Sequence, residues 1–364
     1  MLDLRSYVCM GLELAPLTVD WGQLEEVKDM LLATTQLFCA EHTLVVSNVD
    51  GRFSPNNPAS IFYGRNLQLL PVTLALNGII VYQGFIRSIT VNHTARTASI
   101  VTQNAFTVAA NYFVNLTTSG NPAAIVQEIL EQAGLGPFLD PVSFTASQGG
   151  FAVAGATIGV AYVTTGAVNT QAGISGTTAL AAIQAICSLC GLSCYVNAGL
   201  VRLKAFAPYQ GNFSGVKWRI TPPQSYEFGS LEFAFSNLSN SVNIGYGASS
   251  NYYASNQASI DANNRVPGGK TAEVNTQFDC VAGNTLSVPN LISAQYFAAQ
   301  FLARAATLRQ QGSLTAGPEL STAQIGDRCT IQAPNWGPAP IPFEIIETHR
   351  KVQSQSTELV VATI

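Results

Sequence analysis

The chain has 364 residues, of which 47% are hydrophobic and only 10% charged, with a formal net charge of −4. Its length calls for two or three packed units, and its apolar content excludes a disordered chain. A charge share well under the usual ~25%, with no Lys/Arg run, argues against a protein that grips nucleic acid and fits one whose surface is largely covered by permanent interfaces, which are poor in charge at their centres.

Met1-Leu2-Asp3-Leu4-Arg5 has neither a basic n-region nor an apolar h-region, so synthesis in a cytoplasm is expected. The longest weakly polar stretch, Phe151 to Val168, is too rich in Gly and Thr for a membrane span. Along the first hundred residues the pattern is β. Val72–Leu76, Asn77-Gly78 and Ile79–Tyr82 read as a tight hairpin, because Asn-Gly supplies the two left-handed positions the turn needs. Gly84–Val91 and Ala98–Gln103 continue the meander around His93-Thr94-Ala95-Arg96. Asn121-Pro122 then opens a helix that Gly134 ends, with Ile125, Val126, Ile129, Leu130 and Ala133 on its apolar face. Residues 147–176, rich in Gly and Thr, read as strands and loops. A second helix runs from Thr178 to Cys190 and stops at Gly191. It leads to a hairpin, Cys194–Val196 against Leu200–Leu203, turning at Asn197-Ala198-Gly199.

From Leu231 to Gly247 the pattern returns to β, with Phe233, Phe235, Val242, Ile244 and Tyr246 at strand spacing. A polar loop (248–264) follows. A third helix is expected over Leu291–Gln310, with a seam of Ala294, Ala298, Phe301, Ala305 and Leu308. Asp327–Ile364 is β again. Phe85–Thr90, a turn, and Ser99–Thr102 recur in kind as Phe343–Thr348, a turn, and Leu359–Ala362, a weak internal repeat.

Ser47-Asn48-Val49-Asp50-Gly51-Arg52-Phe53-Ser54-Pro55 resembles the N-x-D-G-x-F-[ST]-P signature near the start of bacteriophage baseplate or tail-tip hub proteins. The likeness continues through Tyr63-Gly64-Arg65, Val72–Leu76 and Tyr82-Gln83-Gly84-Phe85-Ile86. It returns at Ala179-Leu180, at Lys204-Ala205-Phe206, at Asn240-Ser241-Val242 and at Ile325-Gly326-Asp327-Arg328-Cys329-Thr330-Ile331. The resemblance implies an α+β, mainly β chain with two small tail-tube-like β-barrels, an α/β insert and a smaller helical insert. Residues 1–112 would form the first barrel, 113–226 the α+β insert, 227–250 with 312–364 the second barrel, and 251–311 a loop-and-helix insert. It also implies a homotrimeric ring in the virion, made in the host bacterial cytoplasm and without membrane insertion of its own. Such a ring joins the hexameric tail tube or distal tail proteins to a spike or tip, and phage DNA passes through its lumen unbound. Larger members carry hydrolase or receptor-binding domains beyond the last strands; here such activity is expected of a partner.

The chemistry-bearing residues have structural readings. Asp50-Gly51, with Asn48, Phe53 and Pro55, reads as a turn whose Asp bonds backbone and whose Gly takes positive φ. Asn77, Gly78, Gly84, Gly326 and Asp327 are likewise turn or close-approach positions. His42, His93 and His349 lack fixed spacing to a carboxylate or Cys, and neither a zincin motif nor a G-x-S-x-G elbow occurs. Cys187, Cys190 and Cys194 are a partial zinc pattern, but the default is buried thiols, and no cofactor or disulfide is required. Glu25-Glu26 with Lys28-Asp29 reads as a solvated face. Trp21, Trp218 and Trp336 are too scattered for a sugar-stacking row. No catalytic set is present, so the expectation is a non-enzymatic hub. A carbohydrate-binding adhesin or tail fibre component is the alternative, ahead of a cell-envelope hydrolase.

Overall fold

The structure, a computed structural model, describes residues 5–27, 37–67, 70–163, 176–205, 216–221, 226–233, 238–263, 273–306, 310–332 and 339–363. It is α+β and mainly β. One 14-stranded sheet runs through both ends of the chain and is divided by its packing into two lobes. In the N-terminal lobe Glu41–Ser47, Thr97–Gln103, Ile79–Asn92 and Pro71–Leu76 lie side by side, with Arg5–Cys9 added beyond. In the C-terminal lobe the order is Gln310–Ala316, Ser356–Thr363, Ile341–Lys351 and Arg328–Ile331, flanked by Tyr226–Phe233 and Val216–Ile220. Strict alternation sets the faces. In Glu41–Ser47 His42, Leu44 and Val46 point inward and their neighbours outward, as a two-residue side-chain period requires.

The two meanders are the same object in backbone terms. Ile79–Asn92 pairs with Thr97–Gln103 through a bulge between Ile86 and Ser88, and Ile341–Lys351 pairs with Ser356–Thr363 through a bulge between Ile345 and Glu347. Each hairpin closes with four residues, and the last of them, Arg96 or Gln355, is left-handed (φ 53° and 52°). One constant offset maps Ile86 to Ile345, Ser88 to Glu347, Asn92 to Lys351, Thr97 to Ser356 and Thr102 to Val361. The neighbouring strands keep step: Pro71 faces Phe85 as Arg328 faces Glu344, and His42 faces Thr102 as Gly312 faces Val361. The repeat anticipated from the sequence is thus present, but one residue out of frame, since Phe85 corresponds to Glu344 and not to Phe343.

Between the lobes sits a third body with its own core. It contains helices α1 (Ala105–Asn111), α2 (Pro122–Gln132), α3 (Pro141–Ala154), α4 (Ala179–Cys190), α5 (Gln257–Asn263) and α6 (Leu291–Ala305). The caps are those the sequence advertises. Asn121 Oδ1 accepts from Ala123 N at 3.0 Å, Thr178 caps α4, and Gly191 ends it at φ 67°. Ile125, Ile129, Ile183, Ile186, Phe297 and Phe301 share one apolar cluster.

Several expectations need correction. Residues 113–226 and 251–311 are not two inserts, because their helices bury against each other in that single core. Ser241–Tyr246 belongs to it too: it pairs with Ser250–Ser255 and Asn275–Phe278, away from the barrel strands. Conversely Val216–Ile220 pairs with Arg328–Ile331 and belongs to the C-terminal lobe. The stretch expected as strands and loops from residue 147 begins inside α3, and the polar loop 248–264 contains a strand and α5. The third helix ends at Ala305; Leu308, like Phe206, Phe235 and Trp336, lies outside the described residues.

Strand Gln23–Val27 couples the lobes. It touches its own lobe at Leu24 opposite His42, then pairs along its length with the C-terminal lobe, Gln23 opposite Lys351 through to Val27 opposite Glu347. Glu26 is therefore not solvated. Its carboxylate accepts from Arg350 Nη1 at 2.5 Å, with side chains 5% and 1% exposed. Burial raises the Glu26 carboxyl above the usual carboxylate range while Arg350 opposes the rise. Arg350 also donates from Nε to Ser321 O (3.2 Å) and from Nη2 to Ala323 O, so each nitrogen of the buried guanidinium has a partner within the protein. Val352, in the C-terminal turn, packs into the N-terminal core, and Arg5 Nη1 donates to Gln353 O at 3.0 Å. Removing one member strands a charge in the interior. Glu26→Ala is expected to cost about 3–5 kcal/mol in chemical denaturation, against under ~1 kcal/mol for a merely exposed pair.

Candidate functional site: the lobe junction

The signature loop is built to hold itself. Asn48 Oδ1 accepts from Phe53 N (2.9 Å), and its Nδ2 donates to Ser54 Oγ (3.0 Å). Asp50 Oδ1 accepts from Arg52 N at 3.2 Å, and its carboxylate also pairs with the Arg52 side chain. That pairing lowers the Asp50 carboxyl below its ordinary range. Gly51 sits at φ 74°, and an added Cβ would lie 2.6 Å from Asn57 Nδ2. Phe53 is fully buried against Phe62, and Pro55 is half-buried beside it. The side chains of Asn48 and Asp50 are thus engaged by the loop's own residues. Asn77 and Gly78 are both left-handed (φ 52° and 77°). Gly84 leaves room for the Tyr82 hydroxyl, 2.3 Å from where its Cβ would stand.

Gly326-Asp327 does more than start a strand. Asp327 Oδ2 accepts from Lys217 Nζ and Trp218 Nε1, both at 2.9 Å, and from Gln324 N at 3.0 Å. Gly326, at φ 83°, lies so close to Tyr195 that a Cβ would be 2.7 Å from its hydroxyl. Asn197 Nδ2 donates to Ile325 O at 2.7 Å, and Lys204 faces the buried Glu344 at 3.6 Å. On the other side, Gly199 abuts Gln83 with no space for a Cβ, and Gln324 Nε2 donates to Ile80 O at 3.2 Å. The hairpin 192–205 is therefore wedged between the lobes, and its turn touches both. Sequence reasoning found the hairpin and the Gly-Asp pair separately; their meeting is a long-range fact with no local signal.

Cys187, Cys190 and Cys194 do come together, with Cys194 hydrogen-bonded to Cys187. All three are buried, and burial pushes the Cys190 thiol well above its ordinary range; for Cys194 the bond to Cys187 leads and burial adds. Metal ligation needs thiolates, and among the described residues no group of three or more His, Cys, Asp or Glu is arranged to hold a metal. All seven cysteines are free thiols. His93 is exposed in its turn, and His349 lies 3.3 Å from Glu347 on a strand. His42 is buried between Tyr7 and Tyr82, its Nε2 donating to Trp21 O at 2.8 Å. A groove of about 660 Å³ is lined by Phe85, Arg87, Gln103, Thr107 and Tyr112, and Arg87 there is spent on Glu41 at 2.6 Å. Among the described residues no helix is long and apolar enough to cross a membrane.

No family model and no curated protein matches the chain. Solved structures do. The tail protein from Neisseria meningitidis MC58 aligns at TM-score 0.56 and 14% identity over 99% of this chain and 96% of its own. A prophage tail protein from Listeria monocytogenes EGD-e follows at 0.52 and 10% over 99% and 94%. The 43 kDa tail protein of prophage MuSo2 from Shewanella oneidensis gives 0.51 and 10% over 99% and 98%. The chain has a phage tail-protein fold. At such identities the tail-protein likeness rests on backbone arrangement, and it spans both lobes and the body between them.

Two measurements probe how this tail-protein fold is held. Burial lowers the His42 pKa from 6.5 to about 4, so the folded chain keeps the ring neutral while the unfolded chain protonates it. Stability is full above pH ~6.5 and declines as pH falls toward ~4, by up to about 3 kcal/mol. Denaturation midpoints of the wild type should fall more between pH 7 and 4.5 than those of His42→Gln; equal slopes would mean that His42 is not the titrating group. Gly326→Ala forces a side chain onto Tyr195 at positive φ, and a loss of about 1–3 kcal/mol is expected, read as a lower unfolding midpoint.

Proposed function

We propose that the chain is a structural, non-enzymatic hub of a phage tail tip or baseplate. In this reading three copies close into a ring that adapts the sixfold tail tube or distal tail proteins on one side to a threefold spike or tip on the other. The observation that carries it is the register-matched pair of meanders. One chain holds two equivalent tube-type units in a fixed relation, so three chains present six. The tail-protein fold supports the setting, a component of the virion. The scarcity of charge supports large permanent contacts of the heterologous kind that closed rings need. The lumen then serves as a conduit for DNA, and the absence of basic runs suits passage without sticking.

The signature residues take structural roles in this hub. Asn48, Asp50, Gly51, Phe53 and Pro55 brace the loop next to the turn 93–96, where Asn48 N donates to Arg96 O. Gly326 packs the C-terminal lobe against Tyr195 of the middle body, and Asp327 ties Lys217, Trp218 and Gln324 within that lobe. Native mass spectrometry of the purified protein, or of tails disassembled gently, tests the reading. A species of three chains is expected. A stable monomer or a twofold assembly within tails would contradict it.

A further inference from the structure

The two meanders match in backbone but not in cover. In the C-terminal lobe the half-strand Glu347–Lys351, between bulge and turn, is paired on both edges, with Ser356–Val360 and with Gln23–Val27. Its counterpart Ser88–Asn92 pairs with Thr97–Val101 alone, since Pro71–Leu76 stops opposite Phe85. Among the described residues no strand reaches its second edge. Accessibility follows. Thr348, Arg350 and Val352 are buried, whereas Ile89 and Val91 at the first two positions are half-exposed and His93 at the third is exposed. An open edge of this kind is a template for another strand.

The duplication also indicates which strand fits. Thr18 and Asp20 pair with Val46 and Val45, and Leu24 with His42. At the matching positions of the C-terminal lobe, Tyr226 pairs with Ala316, Glu227 with Thr315 and Leu231 with Gly312. Tyr226–Phe233 is therefore the counterpart of the segment Thr18–Val27, with Leu231 at the place of Leu24. Among the described residues no strand pairs with its outer edge, since it is the terminal strand of the sheet. Charge agrees as well. Within the chain, Glu25 and Glu26 face a strand carrying His349, Arg350 and Lys351. Tyr226–Phe233 contains Glu227 and no cation, while the edge Ser88–Asn92 and its turn through Arg96 contain no carboxylate.

We propose that a second copy of this chain lays the outer edge of its Tyr226–Phe233 against Ser88–Asn92. This contact repeats between chains the junction that Gln23–Val27 makes within one, and it rests on the ring reading above. The register carries over: Leu24 faces Arg350 and Gln23 faces Lys351, which sets Leu231 opposite Val91 and Ser230 opposite Asn92. Each chain then gives one strand and takes one, and the N- and C-terminal lobes alternate.

Full-length protein carrying Asn92→Cys and Ser230→Cys, both at exposed positions, tests this under mild oxidation, alongside native mass. Disulfide-linked species up to three chains are expected from the double variant. An equal mixture of the two single variants should give linked dimers and nothing larger, which keeps the test valid if the double variant folds poorly. A trimer by native mass that yields no such links overturns the edge pairing while leaving the ring. A monomer overturns both.

Discussion

A Glu–Arg pair taken fully out of water is costly unless its geometry and its remaining hydrogen bonds are both good. Glu26 and Arg350 meet that condition because a strand from the beginning of the chain is threaded along a hairpin from its end. The pair stands 324 positions apart in sequence, so it forms only when both lobes are complete and correctly juxtaposed. Arg350 also holds the carbonyls of Ser321 and Ala323, which lie just before the Gly326-Asp327 turn. Through that turn the same network reaches Tyr195 and the hairpin of the middle body. The pair and the wedge thus constrain one relation, the angle between two β-lobes, from two sides.

The duplication shows what a fold preserves when side chains diverge. The matched hairpins share a bulge position, a turn length and one left-handed residue, yet Arg87 stands where Ile346 is buried and Val91 where Arg350 is. Backbone register is fixed by hydrogen bonding and by the turn, which many sequences satisfy. Side chains answer to what covers them. In one hairpin that is the other lobe of the same chain, and in the other nothing within the described residues covers the edge.

What was legible in the sequence is what local chemistry encodes. Asn77-Gly78 dictates its turn, Asn121-Pro122 and Thr178 start helices, and Gly134 and Gly191 stop them. In the signature loop Asn48 and Asp50 bond backbone within a few residues, which is the local pattern the sequence suggests. Helix α3 escaped because Gly149 and Gly150 lower its propensity and Val142 and Val153 face solvent, which blurs its apolar stripe; Asp140-Pro141 before it and the left-handed Gly155 after it were the available signals. Glu26 was misread because a mixed charge run looks solvated unless a distant partner is known. The repeat was seen one residue out of frame because alternation reports faces and is silent about a bulge. The division of the inserts failed for a similar reason, since the contacts joining α4 to α6 are not local.

If the lobes are held rigidly and match in backbone, their arrangement in an assembled particle follows from the chain itself. Electron cryomicroscopy of the assembled protein or of intact tail tips measures this most directly. The account predicts three chains around a channel, with the meanders 41–103 and 310–363 at the same radius and height, alternating and superposable by successive sixfold steps. Lobes at different radii, or a particle in which the two meanders face different environments with no sixfold relation, would contradict it.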